Sequence, residues 1–219
     1  MTIGYGLIGT GMMGIEHAMN LAVIDGVEVV AAADPHPEPR EWIRPVLPPA
    51  TPVVSDTEEL LARADVEVAV IASPNFTHRE VLEKVMAAGK HVLVEKPMCT
   101  TLEDAAWAHE MAKRYAGLFW VGLEYRYMAP IQRLAAELRG GTAGQARMIA
   151  IREHRFPFLP KVNDWNRFNR NSGGTFVEKC CHFFDLMRLL AQSEPQRVYC
   201  SAAQDVNHLD ESYDGETPD

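Results

Sequence analysis

The chain has 219 residues, with 21 basic against 30 acidic side chains and a formal charge of -9. That length allows one generous domain, or one domain and part of a second, and the acidic balance argues against nucleic acid, whose binders carry a basic footprint. No uninterrupted apolar stretch is long enough to span a bilayer, so no membrane partner is expected.

The opening run MTIGYGLIG has no basic leader, and a signal peptide is not expected. Cys99, Cys180, Cys181 and Cys200 show no CxxC pattern or framework spacing. They fit a reduced, cytoplasmic setting.

In chain order, short apolar runs predict strands at Ile3–Ile8, Val27–Ala33, Val53–Val54, Val66–Ala72, His91–Glu95 and Leu118–Gly122. Amphipathic stretches predict helices at Met12–Ile24, Thr57–Ala64, Arg79–Ala88, Leu102–Tyr115 and Pro130–Arg139. Such alternation reads as α/β, a doubly wound parallel sheet with helices on both faces. Its strands are continuous apolar runs, as strands buried on both faces should be. Thr57 and Thr101 stand at helix starts and Gly89 after a helix end. Pro35–Pro52 reads as an irregular loop with at most a short helix around Trp42.

After Gly140-Gly141 the rhythm changes. Gln145–His154 and Arg197–Gln204 read as strands, Arg155–Asn171 as a loop, Gly174–Ala191 as one helix, and the acidic tail from Asp205 as unpacked. This divides the chain into a dinucleotide-binding domain over 1–123 and a partial α/β domain over 124–219. Two strands and one helix are marginal as a free-standing layer. The expectation is therefore of an incomplete second domain whose sheet continues beyond this sequence.

GLIGTGMMG places Gly9-x-Gly11-x-x-Gly14 directly after the first strand and at the mouth of a helix. Gly9 permits the tight turn, Gly11 lets a pyrophosphate approach the backbone, and Gly14 lets helix and sheet pack closely. The helix-start amides of the Thr10, Met12 and Met13 region then face the phosphates. Asp34 closes the second strand at about the spacing the fingerprint requires. A carboxylate there accepts ribose hydroxyls and repels a 2′-phosphate, which favours NAD over NADP, although a nearby base such as Arg40 could tolerate the phosphate.

Ligands of open parallel sheets bind beyond the carboxyl ends of strands. Two polar clusters stand there, Ser73-Pro74-Asn75-Phe76-Thr77-His78 and Glu95-Lys96-Pro97. Lys96 could favour a developing alkoxide beside a nicotinamide. It could equally be a solvated charge paired with Glu95.

GGTFVEKCCHFFDLM gathers several reactive side chains in one stretch. On a helical wheel Phe176, Cys180, Phe183, Phe184, Met187, Leu190 and Ala191 share a stripe, and Glu178, His182 and Asp185 gather opposite. A metal site on those three lacks a second ligand cluster and zinc-like spacing, so no metal is expected. A cysteine nucleophile lacks an electropositive setting. An acid/base imidazole at His182, oriented by Glu178 one turn earlier or by Asp185 one turn later, competes with a surface histidine among helix charges.

These stretches, in this order, resemble the glucose–fructose oxidoreductase / inositol dehydrogenase (Gfo/Idh/MocA) family: GLIGTGMMG, Asp34, SPNFTH, GKHVLVEKPM and GGTFVEKCCHFFDLM. The resemblance runs to about Gln204. It implies a Rossmann domain followed by an α/β domain, and an enzyme moving a hydride between NAD or NADP and a hydroxyl carbon of a sugar, inositol or related polyol. It makes Lys96 and His182 catalytic with Glu178 supporting. The cofactor would lie along Gly9, Thr10, Gly11, Met12, Met13, Gly14, Asp34, Ser73, Asn75, His78, Glu95 and Lys96.

Arg126, next to Tyr125, and Trp165 with Arg167 are implied near substrate, or could be packing. The family usually has aspartate where Glu178 stands and glycine where Cys180 stands. The full-length protein is expected to be a homo-oligomer. Alternative readings are NAD-dependent glycoside cleavage without net redox, or a non-catalytic dinucleotide-binding module. His17, His36, His91, His109, His154 and His208 are read as structural.

Overall fold

The structure, a computed structural model, describes residues 2–142, 144–154, 156–203 and 211–212. The chain divides into two compact units, Met1–Gly122 and Leu123–Asp219.

In the first unit β1 (Ile3–Ile8), α1 (Met12–Leu21), β2 (Val27–Ala33), α2 (Pro37–Ile43), β3 (Val53–Val54), α3 (Thr57–Leu61), β4 (Val68–Ile71), α4 (His78–Ala87), β5 (His91–Glu95), α5 (Leu102–Arg114) and β6 (Phe119–Gly122) follow one another. The strands lie in the order β3-β2-β1-β4-β5-β6, every neighbouring pair parallel. The chain winds outward from β1 in one direction and from β4 in the other. The crevice at that reversal is where open parallel sheets take ligands.

Side-chain alternation divides the sheet's interior into two cores. Leu7, Val29, Ala32 and Val70 face Ala18 and Leu21 of α1 and Ile43 of α2. Ile8, Ala31, Ala33, Ala69 and Ile71 face Leu60 and Leu61 of α3, Leu82, Val85 and Met86 of α4, and Ala108 of α5. Burial on both faces is the physical reason these strands lack polar alternation.

Local signals explain most boundaries. Asp56 Oδ1 accepts from Glu58 N at 2.9 Å, so Asp56 caps α3 and Thr57 is its first residue. Thr101 Oγ1 caps α5 by accepting from Asp104 N at 3.1 Å. Gly89 follows α4 at φ 70°, the left-handed conformation that ends many helices. The proline-rich 35–52 stretch is more ordered than expected: α2 leads into a 3-10 turn over Arg44–Val46, and Ile43 is fully buried.

In the second unit a 3-10 turn (Glu124–Tyr127) leads into α6 (Ala129–Arg139), and a 3-10 segment (Val162–Arg167) precedes α7 (Asn169–Ser172), α8 (Gly174–Glu178) and α9 (Cys181–Ala191). Residues 145–154 and 197–203 form no strand among the described residues, contrary to expectation. A strand is held by its neighbours' backbone, and two segments fall short of a self-standing sheet. Gln204 and the tail, apart from 211–212, lie outside the described residues. No helix among the described residues is long and apolar enough to cross a membrane.

The expected single helix over Gly174–Ala191 is two, with the break at Lys179-Cys180. There the backbone tightens, with His182 N donating to Lys179 O at 3.3 Å. Burial also runs opposite to the expected stripe. Glu178, His182 and Asp185 are buried, while Phe176 and Phe184 are 42% and 48% exposed. The polar side turns inward because other elements supply its partners.

Candidate active site

The glycine turn has three separate local reasons for its three glycines. Gly9 sits at φ 95°, and a Cβ there would lie 2.5 Å from Ser73 N. A Cβ on Gly14 would lie 2.1 Å from Gly9 O, so the fold itself excludes a side chain. Around Gly11 a Cβ would meet nothing within 4 Å. Gly11 N-caps α1 without a side-chain bond, and α1 has no acidic residue in its first turn. Open space beside uncapped helix-start amides is what a pyrophosphate requires, so these residues fit a dinucleotide.

Asp34 is buried and ties the turn to β2. Its Oδ2 accepts from Thr10 N at 2.9 Å and its Oδ1 from His36 N at 3.0 Å. Each oxygen keeps a second lone pair for a ribose hydroxyl. Arg40 Nη1 donates to Asp34 O at 2.7 Å and Pro35 O at 3.0 Å. The guanidinium thus stands beside the acid's backbone. Met12 is half exposed at the helix mouth, whereas Thr10 is fully buried.

After β4, Ser73 Oγ and Thr77 Oγ1 lie 2.7 Å apart, and Thr77 donates onward to Pro74 O at 2.7 Å. Asn75 is buried in the 3-10 turn that follows. His78, expected along the cofactor, has no exposed surface. Its Nδ1 lies 2.8 Å from Pro97 O and its Nε2 3.0 Å from Ser73 O. That corrects its role: the imidazole ties the loops after β4 and β5 together from within. Burial pushes its pKa below the ordinary value, outweighing the carbonyl contacts that oppose the shift.

After β5, the Lys96–Pro97 peptide is cis. Glu95 Oε2 accepts from Lys96 N at 3.2 Å, and Oε1 lies 2.8 Å from His17 Nε2. His17, read from sequence as having no role, therefore joins α1 to the acid beside Lys96. Its position in the third turn of α1 gives no periodic signal for such a partner. Cys99, on the same loop, is held by burial as a thiol with a pKa of about 11.

In the second unit the turn after β6 grips α9. The Tyr125 ring stacks on the His182 imidazole, centroids 4.1 Å apart and planes 11° apart. Glu124 Oε1 lies 3.5 Å from His182 Nε2. Arg126 Nε donates to Asp185 Oδ2 at 2.5 Å, and its Nη2 donates to Oδ1 of the same carboxylate. Asp185, the competing orienting acid, is therefore committed to Arg126. That pairing also corrects Arg126 as a substrate group: two of its donors fix the turn, and the buried carboxylate raises its pKa further.

Glu178 is buried at the end of α8, but the tightened junction before α9 makes Glu178 and His182 no regular i,i+4 pair. Sequence reading missed Glu124. Its only available signal was its place directly after β6.

Arg167, also expected near substrate, is 7% exposed. It donates to Phe158 O at 2.8 Å and lies 3.7 Å from Glu211 Oε2, so it holds its own loop. Trp165 is half-buried in the 3-10 segment. Burial raises the Cys180 pKa, with the Glu153 charge adding to the shift, which works against a thiolate nucleophile.

Comparison with known proteins agrees with this picture. Residues 3–123 match the oxidoreductase family's NAD-binding Rossmann fold, and residues 136–217 match its C-terminal alpha/beta domain. An inositol 2-dehydrogenase from Rhizobium meliloti is 29% identical over 93% of this chain and 59% of its own. A 1-carboxy-3-chloro-3,4-dihydroxycyclohexa-1,5-diene dehydrogenase from Comamonas testosteroni is 35% identical over 76% of this chain and 42% of its own. The crystal structure of a probable dehydrogenase from Thermotoga maritima superposes with a TM-score of 0.72 at 26% identity, covering 87% of this chain and 56% of that one. The chain thus spans less than two thirds of the length of these relatives. Two consecutive domain matches, the glycine turn and the strand order have one explanation: the chain belongs to the Gfo/Idh/MocA oxidoreductase family.

Proposed function

We propose that the protein oxidises a secondary hydroxyl of a polyol, with a hydroxylated six-membered carbocycle as the leading class, and prefers NAD to NADP. The observation that carries the reading is His182, an imidazole 2% exposed, stacked on Tyr125 and with a carboxylate 3.5 Å from Nε2. A buried imidazole held in one plane beside an acid is equipped to accept a proton and to bear the resulting charge. The two related dehydrogenases, named for inositol and for a dihydroxycyclohexadiene, supply the substrate class.

In this reading His182 takes the hydroxyl proton as the carbinol carbon becomes a carbonyl, and Glu124 stabilises the imidazolium. Glu178 is the second acid for that task. The Lys96 ammonium donates a hydrogen bond to the reacting oxygen and stabilises its developing negative charge. NAD, when bound, supplies the hydride acceptor. The α1 amides with Gly11 would hold its pyrophosphate, Asp34 its ribose hydroxyls, and Ser73, Asn75 and Glu95 would line its path.

The experiment is a panel of cyclic and acyclic polyols with purified protein and NAD, read by NADH formation. Turnover with at least one polyol, and a lower Kd for NAD than for NADP, are expected. Cleavage of a glycoside without NADH accumulation would favour the non-redox chemistry. NAD binding without any turnover would make the chain a binding module.

A further inference from the structure

A second lysine, outside the machinery described above, stands buried beside His182. Lys179 is 8% exposed, at the junction of α8 and α9. Its Nζ donates to Tyr125 Oη at 2.5 Å and lies 3.2 Å from Glu153 Oε1. The same nitrogen sits 4.8 Å from the centre of the Tyr125 ring and 5.6 Å from that of Phe183. A buried ammonium needs hydrogen-bonding partners and a countercharge. Here it has a phenol, a carboxylate and two aromatic faces.

The arrangement runs as a chain of contacts, Glu153 to Lys179 to Tyr125 to His182. Stacking by itself leaves a phenol free to slide across its neighbour, because it fixes the separation of the planes better than their offset. A charge-assisted bond at the far end of the phenol removes that freedom. Parallel rings carry no in-plane hydrogen bond, so the geometry makes Tyr125 a platform and excludes it as a direct proton conduit.

We propose that Lys179 and Tyr125 are positioning residues that hold the His182 imidazole in its proton-accepting orientation, a role that rests on the oxidoreductase reading above. The glutamate, lysine and histidine that sequence places together thus divide their work. His182 handles the proton, and Lys179 acts on it through a ring from another element.

The test uses histidine-labelled protein without cofactor, and separately the steady-state reaction. A ring stacked face-on at this distance shifts its neighbour's carbon-bound protons upfield. The His182 signals, assigned by loss in His182→Gln, should therefore be displaced in the wild type. Lys179→Met and Tyr125→Phe should lose most of that displacement and lower kcat by about tenfold to a hundredfold with KM little changed. Lys179→Arg, which keeps a cationic donor, should retain both.

Wild-type displacement and kcat in a folded Lys179→Met would overturn the proposal and leave Lys179 a packing group. If Lys179→Met does not fold, Tyr125→Phe, which removes a single oxygen, decides by the same two readouts. A wild type with no polyol activity would refute the oxidoreductase reading. The displacement of the His182 signals would still decide the positioning claim.

Discussion

Glu124 Oε1 stands 3.5 Å from His182 Nε2, so a carboxylate reaches the imidazole from the turn after β6. Glu124→Gln preserves shape and removes the charge that would balance an imidazolium. It should lower kcat by about tenfold to a hundredfold with the Kd for NAD unchanged. Glu178→Gln should cost less. Steady-state kinetics of the two variants on one polyol checks the order, and a larger loss in Glu178→Gln would return the role to that residue.

The glycine turn separates what the fold needs from what the ligand needs. Gly14→Ala forces a Cβ to 2.1 Å from Gly9 O and should destabilise the protein by about 2 kcal/mol or more. Gly11→Ala meets nothing within 4 Å and should leave the denaturation midpoint nearly unchanged. The same methyl stands where the pyrophosphate would approach, and should weaken NAD binding by about tenfold or more. Denaturation and calorimetric titration of the two variants test the division. Equal loss of stability in both would contradict it.

His78 links folding to acid. Burial lowers its folded-state pKa below the ordinary 6.5. As pH falls through that value the unfolded chain takes up a proton that the folded chain does not, so stability is lost below about pH 6.5. Each pH unit within the gap contributes about 1.4 kcal/mol at most. Urea unfolding at pH 7.5 and pH 5.5 should show a smaller acid loss in His78→Gln than in the wild type. An identical loss would mean that another group carries it.

The first unit was almost fully legible in the sequence, and the reason is physical. Strands buried on both faces are written as continuous apolar runs, so β1, β2, β3 and β5 took the boundaries expected for them. The second unit was legible only in part. Its two expected strands rest on pattern alone, and a strand exists only with a neighbour. The wheel for Gly174–Ala191 assumed that polar means exposed. Glu124, Arg126 and Glu153 overturn that by meeting His182, Asp185 and Lys179 from distant positions. Such partners are non-local, and periodicity within one helix carries no trace of them.

The Arg126–Asp185 pair should hold the turn on α9. Asp185 is 6% exposed along its side chain and Arg126 is 38%. Removing the buried partner leaves a guanidinium that can still reach water. Asp185→Ala should therefore cost about 2 kcal/mol, toward the low end for a broken buried pair. It should also weaken His182 stacking, because the same turn carries Tyr125. Thermal denaturation together with the His182 proton shifts checks both effects.

Polyol-dependent NADH formation, compared in the wild type, Lys96→Ala and His182→Ala, tests the central claim most directly. The expected result is turnover by the wild type, loss of about a hundredfold or more in each variant, and NAD affinity preserved in both. Activity retained in both variants, at wild-type cofactor affinity, would contradict the assignment of Lys96 and His182 to the chemistry.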